Sequence, residues 1–183
     1  VEVSKTDEEI LKLCEHTFQI SKGLNDPTSL PLTNLWDQAG RENRIPSSRE
    51  IEEAKNLISW PTVEWGNGRV FLPEKGMALE IGGFGKEYAV DHLIGFAKRL
   101  GIVDCLVDLG RDVAALGQPP NGPIWVVGIE DAKEEEVVAF RLAVSGKGLA
   151  TSGNGRRYRI IKGKKFGHII DPRSGWPTEN DLL

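Results

Sequence analysis

The chain has 183 residues, 39% of them hydrophobic and 27% charged, with a net charge of −4. This is the composition of a globular protein with enough apolar residues for a core. The acidic balance argues against a nucleic-acid binder, which carries a basic excess. No run approaches the roughly 18 apolar residues of a membrane span, and Val1 opens the chain without a charged-then-apolar signal stretch. Cys14 and Cys105 sit in apolar stretches without a CxxC pair and read as buried thiols. His16, His92 and His168 are too far apart in sequence to form a helical metal pair.

In chain order, Ile10, Leu13, Cys14, Thr17 and Phe18 recur at helical spacing, which predicts a first helix capped by Thr6 with Glu9 and stopped at Gly23. "GLNDPTSLPLTNLWD" reads as an ordered loop whose Leu30, Leu32, Leu35 and Trp36 need burial. Ser47 with Glu50 opens a second helix. Gly66-Asn67-Gly68 between short apolar runs predicts a hairpin. "GMALEIGG" reads as a strand ending in a glycine turn. A helix then runs from Gly85 to Leu100, with Tyr88, Ala89, Leu93, Phe96, Ala97 and Leu100 on its apolar side, and Gly101 closes it. With the apolar run "VDCLVDLG" as a buried strand, residues 77 to 109 form a strand–helix–strand unit. "VAALG", "IWVVGIED", "VVAFRLAV" and "GLATSG" follow as strands, and "RRYRIIKGKKFGHIID" is a hairpin turning at Lys162-Gly163-Lys164. Short connections favour antiparallel pairing, so the fold class is α+β, a largely antiparallel sheet with packed helices.

Three segments carry more glycine and polar residues than a core requires. In "ALEIGGFGKEYAVDH", Gly82-Gly83 lets backbone groups approach a phosphate or a metal, and Lys86 in the first helical turn opposes the helix dipole, which an anion nearby would relieve. A glycine turn with a solvated Lys86 and a surface Asp91 explains the same residues. In "GLATSGNGRRYR", Thr151 and Ser152 beside Gly153 offer hydroxyl and backbone donors suited to a diphosphate, or form a tight turn. In "GHIIDPRSGWP", strand alternation puts His168 and Ile170 on one face, and Asp171-Pro172 starts a turn that Gly175 finishes. His168 is either a proton-transfer group or a satisfied structural histidine.

Taken in order, "NDPTSLPLTNLW", "GGFGKEYAVDH", "LVDLGRDVAALG", "GLATSGN" and "HIIDPRSGWP" resemble the ApbE-type flavin transferases, FAD:protein FMN transferases, over roughly residues 7 to 178. The resemblance implies a single ApbE-like domain over residues 1–183 that moves FMN from FAD to a Thr or Ser hydroxyl of an acceptor protein, with magnesium. It implies flavin-nucleotide contacts at Asn25, Asp26, Glu80, Lys86, Asp91, Thr151, Ser152, Gly153, His168, Ile170 and Asp171, a metal-binding carbonyl at Gly83, and proton removal or diphosphate orientation by His168. It favours a periplasmic or cell-surface location, with a lipoprotein anchor outside this chain.

The departures are specific. Glu87 and Arg111 stand where the family has glycines, and Asn25 replaces a Phe. Family members bring part of the FAD pocket from an N-terminal segment and further Asp and Thr metal ligands from a C-terminal one. This chain ends at "PTENDLL", which implies a shortened domain or a degenerate member. Two other readings follow: a flavin-binding module without catalysis, and a pyrophosphatase that cleaves FAD to FMN and AMP with water.

Overall fold

The computed structural model describes residues 1–131, 134, 137–153 and 157–179. Its helices are α1 (Lys5–Ile20), α2 (Leu30–Arg41), α3 (Ser48–Lys55), a 3-10 turn (Trp60–Thr62) and α4 (Gly85–Arg99). Its strands are β1 (Glu64–Gly66), β2 (Arg69–Phe71), β3 (Cys105–Leu109), β4 (Asp112–Leu116), β5 (Trp125–Glu130), β6 (Val138–Val144), β7 (Gly148–Leu149), β8 (Tyr158–Ile161), β9 (Lys164–Gly167), β10 (Ile170–Asp171) and β11 (Trp176–Pro177). Every ladder among the described residues is antiparallel, as the short connections required. The chain divides into two compact units, one built from Val1–Gly83 with Arg156–Leu182, the other from Phe84–Gly155.

The first unit has a core of Leu32, Trp36, Ala39, Ile51, Ala54, Ile161 and Phe166. Five of these come from α2 and α3, and the other two from the β8–β9 hairpin. Trp36 is fully buried, stacks near Phe166 and Trp176, and donates from its indole N–H to the Gly175 carbonyl at 2.8 Å. The segment expected to be a loop is therefore half helix: Pro31 is tolerated in the first turn of α2, and Leu32 and Trp36 sit four apart on its buried stripe. The cap of α1 lies two residues upstream of the expected Thr6–Glu9 pair. Ser4 and Asp7 bond each other's backbone N–H at 3.2 and 2.8 Å, the shorter carboxylate making the reciprocal contact. The Ser47–Glu50 box of α3 and the positive-φ stop at Gly23 are as expected.

"GMALEIGG" is not a strand. Residues 77–81 are irregular, because Glu80 spends its N–H on the Pro27 carbonyl at 2.7 Å, a contact with a loop rather than a ladder. Between β9 and β10 the ladder breaks at His168 and Ile169, so strand alternation does not apply across them.

In the second unit α4 lies against β3 and β4, and β4 also pairs with β7. The buried residues of α4 are Val90 and Ala97; of the expected apolar face Ala97 is buried, Tyr88 and Ala89 are half-buried, and Leu93, Phe96 and Leu100 are exposed. β5 and β6 form a separate hairpin. Cys105 on β3 is half-buried, against the expected full burial, whereas Cys14 on α1 is buried and its thiol is pushed up to about 11 by that burial.

Candidate functional site

Within the first unit the Asn25–Thr28 loop and the Glu80–Gly83 segment are tied together. The Asp26 carboxylate is buried and receives the Thr28 N–H and hydroxyl at 2.8 and 2.6 Å and the Trp60 N–H at 3.2 Å. With its oxygens so engaged, Asp26 holds the loop's shape, and Asn25 beside it is half-buried. A Cβ on Gly83 would lie 3.2 Å from Asn25 Nδ2, so only a glycine admits that amide without displacement. Glu80 accepts the Thr33 hydroxyl at 2.7 Å, and its other oxygen lies 3.0 Å from where a Gly82 Cβ would be. Asn25, Glu80, Gly82 and Gly83 are thus gathered in one place.

The charge of Glu80 also reaches His168. Burial lowers the His168 pKa first, the Arg157 carbonyl opposes this, the charges of Arg157 and Arg159 lower it further, and Glu80 raises it. The ring Nδ1 lies 3.0 Å from the Arg157 carbonyl, which also takes the His168 backbone N–H at 3.2 Å. The tautomer that satisfies this contact carries its proton on Nδ1 and leaves the Nε2 lone pair as acceptor. Ile170 is half-buried and packs against the Trp36 core. Asp171 is gripped by the Arg173 guanidinium at 2.6 and 2.9 Å, which holds its carboxyl below the usual range. The turn closes as expected, the Gly175 N–H bonding the Asp171 carbonyl at 2.8 Å.

Within the second unit Lys86, in the first turn of α4, forms an ion pair with Asp112 at the head of β4. The anion that relieves a cation at this helix start is therefore the chain's own. Asp112 is 2% exposed, and its other oxygen accepts the Thr151 N–H at 3.2 Å. Thr151 arrives there because β7 pairs with β4, Leu149 opposite Val113, and the chain continues past the start of β4. Thr151, Ser152 and Gly153 are exposed, as is Asp91. Asp91 lies five residues beyond Lys86, about 140° around the helix axis, so the two do not share a face.

Sequence reasoning missed Asp112 and Thr33. The signal for Asp112 was present: a carboxylate following Gly110-Arg111 and heading an apolar strand has no reason to be buried without a cation. Thr33 carried no signal, since its partner Glu80 is far away in sequence. A depression lined by Asp37, Gly40, Arg41, Arg159 and Ile160 also lies in the first unit, and none of the candidate residues lines it.

The ApbE family model matches residues 1–183. The FAD:protein FMN transferase of Escherichia coli (strain K12) is 31% identical over 168 residues, covering 88% of this chain and 48% of that protein. That of Klebsiella pneumoniae (strain 342) is 29% identical over 188 residues, covering 99% of this chain and 54% of its own. Among solved structures, the ApbE protein of Thermotoga maritima MSB8 superposes with a TM-score of 0.88 at 31% identity, covering 97% of this chain and 59% of that one. The apo flavinyl transferase ApbE of Pseudomonas stutzeri gives 0.83 at 30% identity, covering 98% and 56%. The fold is thus ApbE-like, and the chain spans about half the length of the curated relatives it matches.

Proposed function

The chain belongs to the ApbE family, and from that membership we propose that it moves FMN from FAD to a Thr or Ser hydroxyl of an acceptor protein. The observation that carries this is the meeting of Lys86 and Thr151 on one buried carboxylate. It brings a half-exposed cation and the exposed Thr151–Gly153 turn together near the start of α4, whose N-cap Phe84 makes no side-chain cap. Such a grouping suits a diphosphate. Gly153 is exposed, and a glycine there leaves the backbone open to close approach by a ligand.

In the proposed reaction the acceptor oxygen attacks the FMN-side phosphorus, the bond from that phosphorus to the AMP oxygen breaks, and AMP leaves with the bonding pair. FMN remains joined to the acceptor through a phosphodiester. Lys86 and the Thr151–Gly153 turn of the second unit bind the diphosphate charge; a flavin-nucleotide contact at Asn25 and uptake of the hydroxyl proton by His168 at Nε2 are roles the family resemblance implies for the first unit. The family resemblance adds magnesium. Among the described residues no group of three or more His, Cys, Asp or Glu could hold a metal ion. The Gly83 carbonyl is one ligand where a hard cation takes about six or more oxygens, carboxylates among them. These residues do not by themselves fit the ion, and no step is assigned to it. The acceptor hydroxyl and a periplasmic or cell-surface location belong to the same proposal and rest on the resemblance alone.

A binding module without transfer is the second reading, favoured by one feature: Lys86 and Asp171 are both neutralised within the chain, by Asp112 and Arg173. Incubation with FAD and a Thr-bearing acceptor separates the readings. Transfer yields flavin-labelled acceptor and AMP, a binding module yields bound and intact FAD, and a pyrophosphatase yields AMP with free FMN.

A further inference from the structure

Two carboxylates are buried among the described residues, Asp26 and Asp112. Three donors from the surrounding loops account for Asp26. Asp112 is different. Its Oδ1 takes a single N–H, from Thr151, and its Oδ2 meets Lys86 as an ion pair without accepting an aligned hydrogen bond. The next residues of β4, Val113, Ala114 and Ala115, are buried and apolar. Packing alone would extend that pattern to the head of the strand, since burying a charge carries a desolvation penalty that pairing only partly offsets. The pair is also one-sided: the carboxylate is buried, while the Lys86 side chain is 50% exposed. The exposed half of Lys86 is therefore open to a ligand, as is the exposed Thr151–Gly153 turn.

We infer that Asp112 is a positioning residue. Through one carboxylate it fixes the Lys86 ammonium and the Thr151 amide side by side, so that the exposed part of Lys86 and the Thr151–Gly153 turn are held ready for one diphosphate. Without Asp112 the lysine side chain would sample its rotamers in water and the turn would lose its tether to β4. This role rests on the FAD reading above.

The test is a double-mutant cycle of D112N and K86M, read by equilibrium titration with FAD and with ADP as the diphosphate probe. Asparagine has one acceptor oxygen for two donors, so D112N keeps one contact at most. The expected result is a loss of about tenfold in affinity for both probes in each single variant, with the double variant no weaker than either. Multiplying losses, or unchanged affinity in a folded D112N, overturn the role of Asp112 alone. No FAD binding by the wild-type chain overturns the functional reading and this role with it. Should D112N fail to fold, K86M and K86R carry the test with hydrogen exchange at the Thr151 amide. Positioning predicts that K86M loses about tenfold in FAD affinity with that exchange unchanged and that K86R, which keeps the charge in a different shape, loses less than K86M. Equal affinity in both variants overturns it.

Discussion

The side-chain amide of Asn25 occupies the space in which a side chain at Gly83 would begin, with Nδ2 3.2 Å and Oδ1 3.4 Å from an added Cβ. Gly83→Ala therefore pushes Asn25 out of place without straining the backbone. FAD titration should show G83A weakened about tenfold, N25A weakened similarly, and the double variant no worse than either, since both act through one side chain. Additive losses would show that Asn25 and Gly83 act separately.

His168 sets a pH dependence with a defined sign. Burial holds its pKa below the ordinary 6.5, with the Arg157 carbonyl acting the other way. As pH falls through 6.5 the unfolded chain takes up the proton first and the native state resists it, so stability declines in that range. Denaturant midpoints between pH 7 and 5, at about half-unit steps, should fall more steeply for wild type than for His168→Ala. Transfer should rise with pH through a midpoint below 6.5, and H168A should lose about 100-fold or more in rate along with that midpoint.

Gly175 is required by space as well as by conformation. Its φ is +73°, and an added Cβ would come within 2.4 Å of Ile51 Cγ2. Gly175→Ala combines a left-handed penalty of about 1–2 kcal/mol with overpacking of about 1–3 kcal/mol. Thermal or denaturant unfolding should therefore show a loss of about 3 kcal/mol, with the Trp36 bond to the Gly175 carbonyl disturbed. A change under about 1 kcal/mol would show that the turn can move away from Ile51.

At Arg111 the expectation has the opposite sign. The residue has φ +78° in the two-residue turn between Leu109 and Asp112, where the family has glycine. Its guanidinium pairs with Glu130, but half its side chain is exposed, so that pair contributes about 0.2–1 kcal/mol at most. Relief of about 1–2 kcal/mol of left-handed strain outweighs it, less the greater freedom glycine has in the unfolded chain. Arg111→Gly should be neutral or stabilising by about 0.5 kcal/mol in denaturant titration. A loss above about 1 kcal/mol would show that the Glu130 pair dominates.

Local signals were legible where the cause was local. The Ser47–Glu50 cap, the Asn67-Gly68 and Lys162-Gly163 turns and the Gly175 turn each depend on a few adjacent residues, and each appears where spacing put it. Where the cause lay far along the chain, pattern failed. α2 is a helix because Trp36 reaches the Gly175 carbonyl and the hairpin residue Phe166. "GMALEIGG" is irregular because Glu80 bonds Pro27. α4 buries Val90 and Ala97 and leaves Leu93 and Phe96 exposed, a choice among apolar positions that spacing alone does not make. The candidate residues came from motif resemblance. Contacts show that Asp26 bonds within its own loop, Ile170 packs on the core, Asn25, Glu80 and Gly83 gather in one unit, and Lys86 and Thr151 meet in the other through Asp112, which was not among the candidates.

In the proposed transfer the acceptor hydroxyl, not water, takes the FMN group. The most direct measurement is the ratio of AMP released to flavin-labelled acceptor, by chromatography and intact-mass spectrometry of one reaction containing FAD and a Thr-bearing acceptor. Transfer predicts one AMP for each labelled acceptor, and no AMP when the acceptor Thr is replaced by Ala. AMP released without labelled acceptor, or FAD recovered intact alongside an unlabelled acceptor, would contradict it.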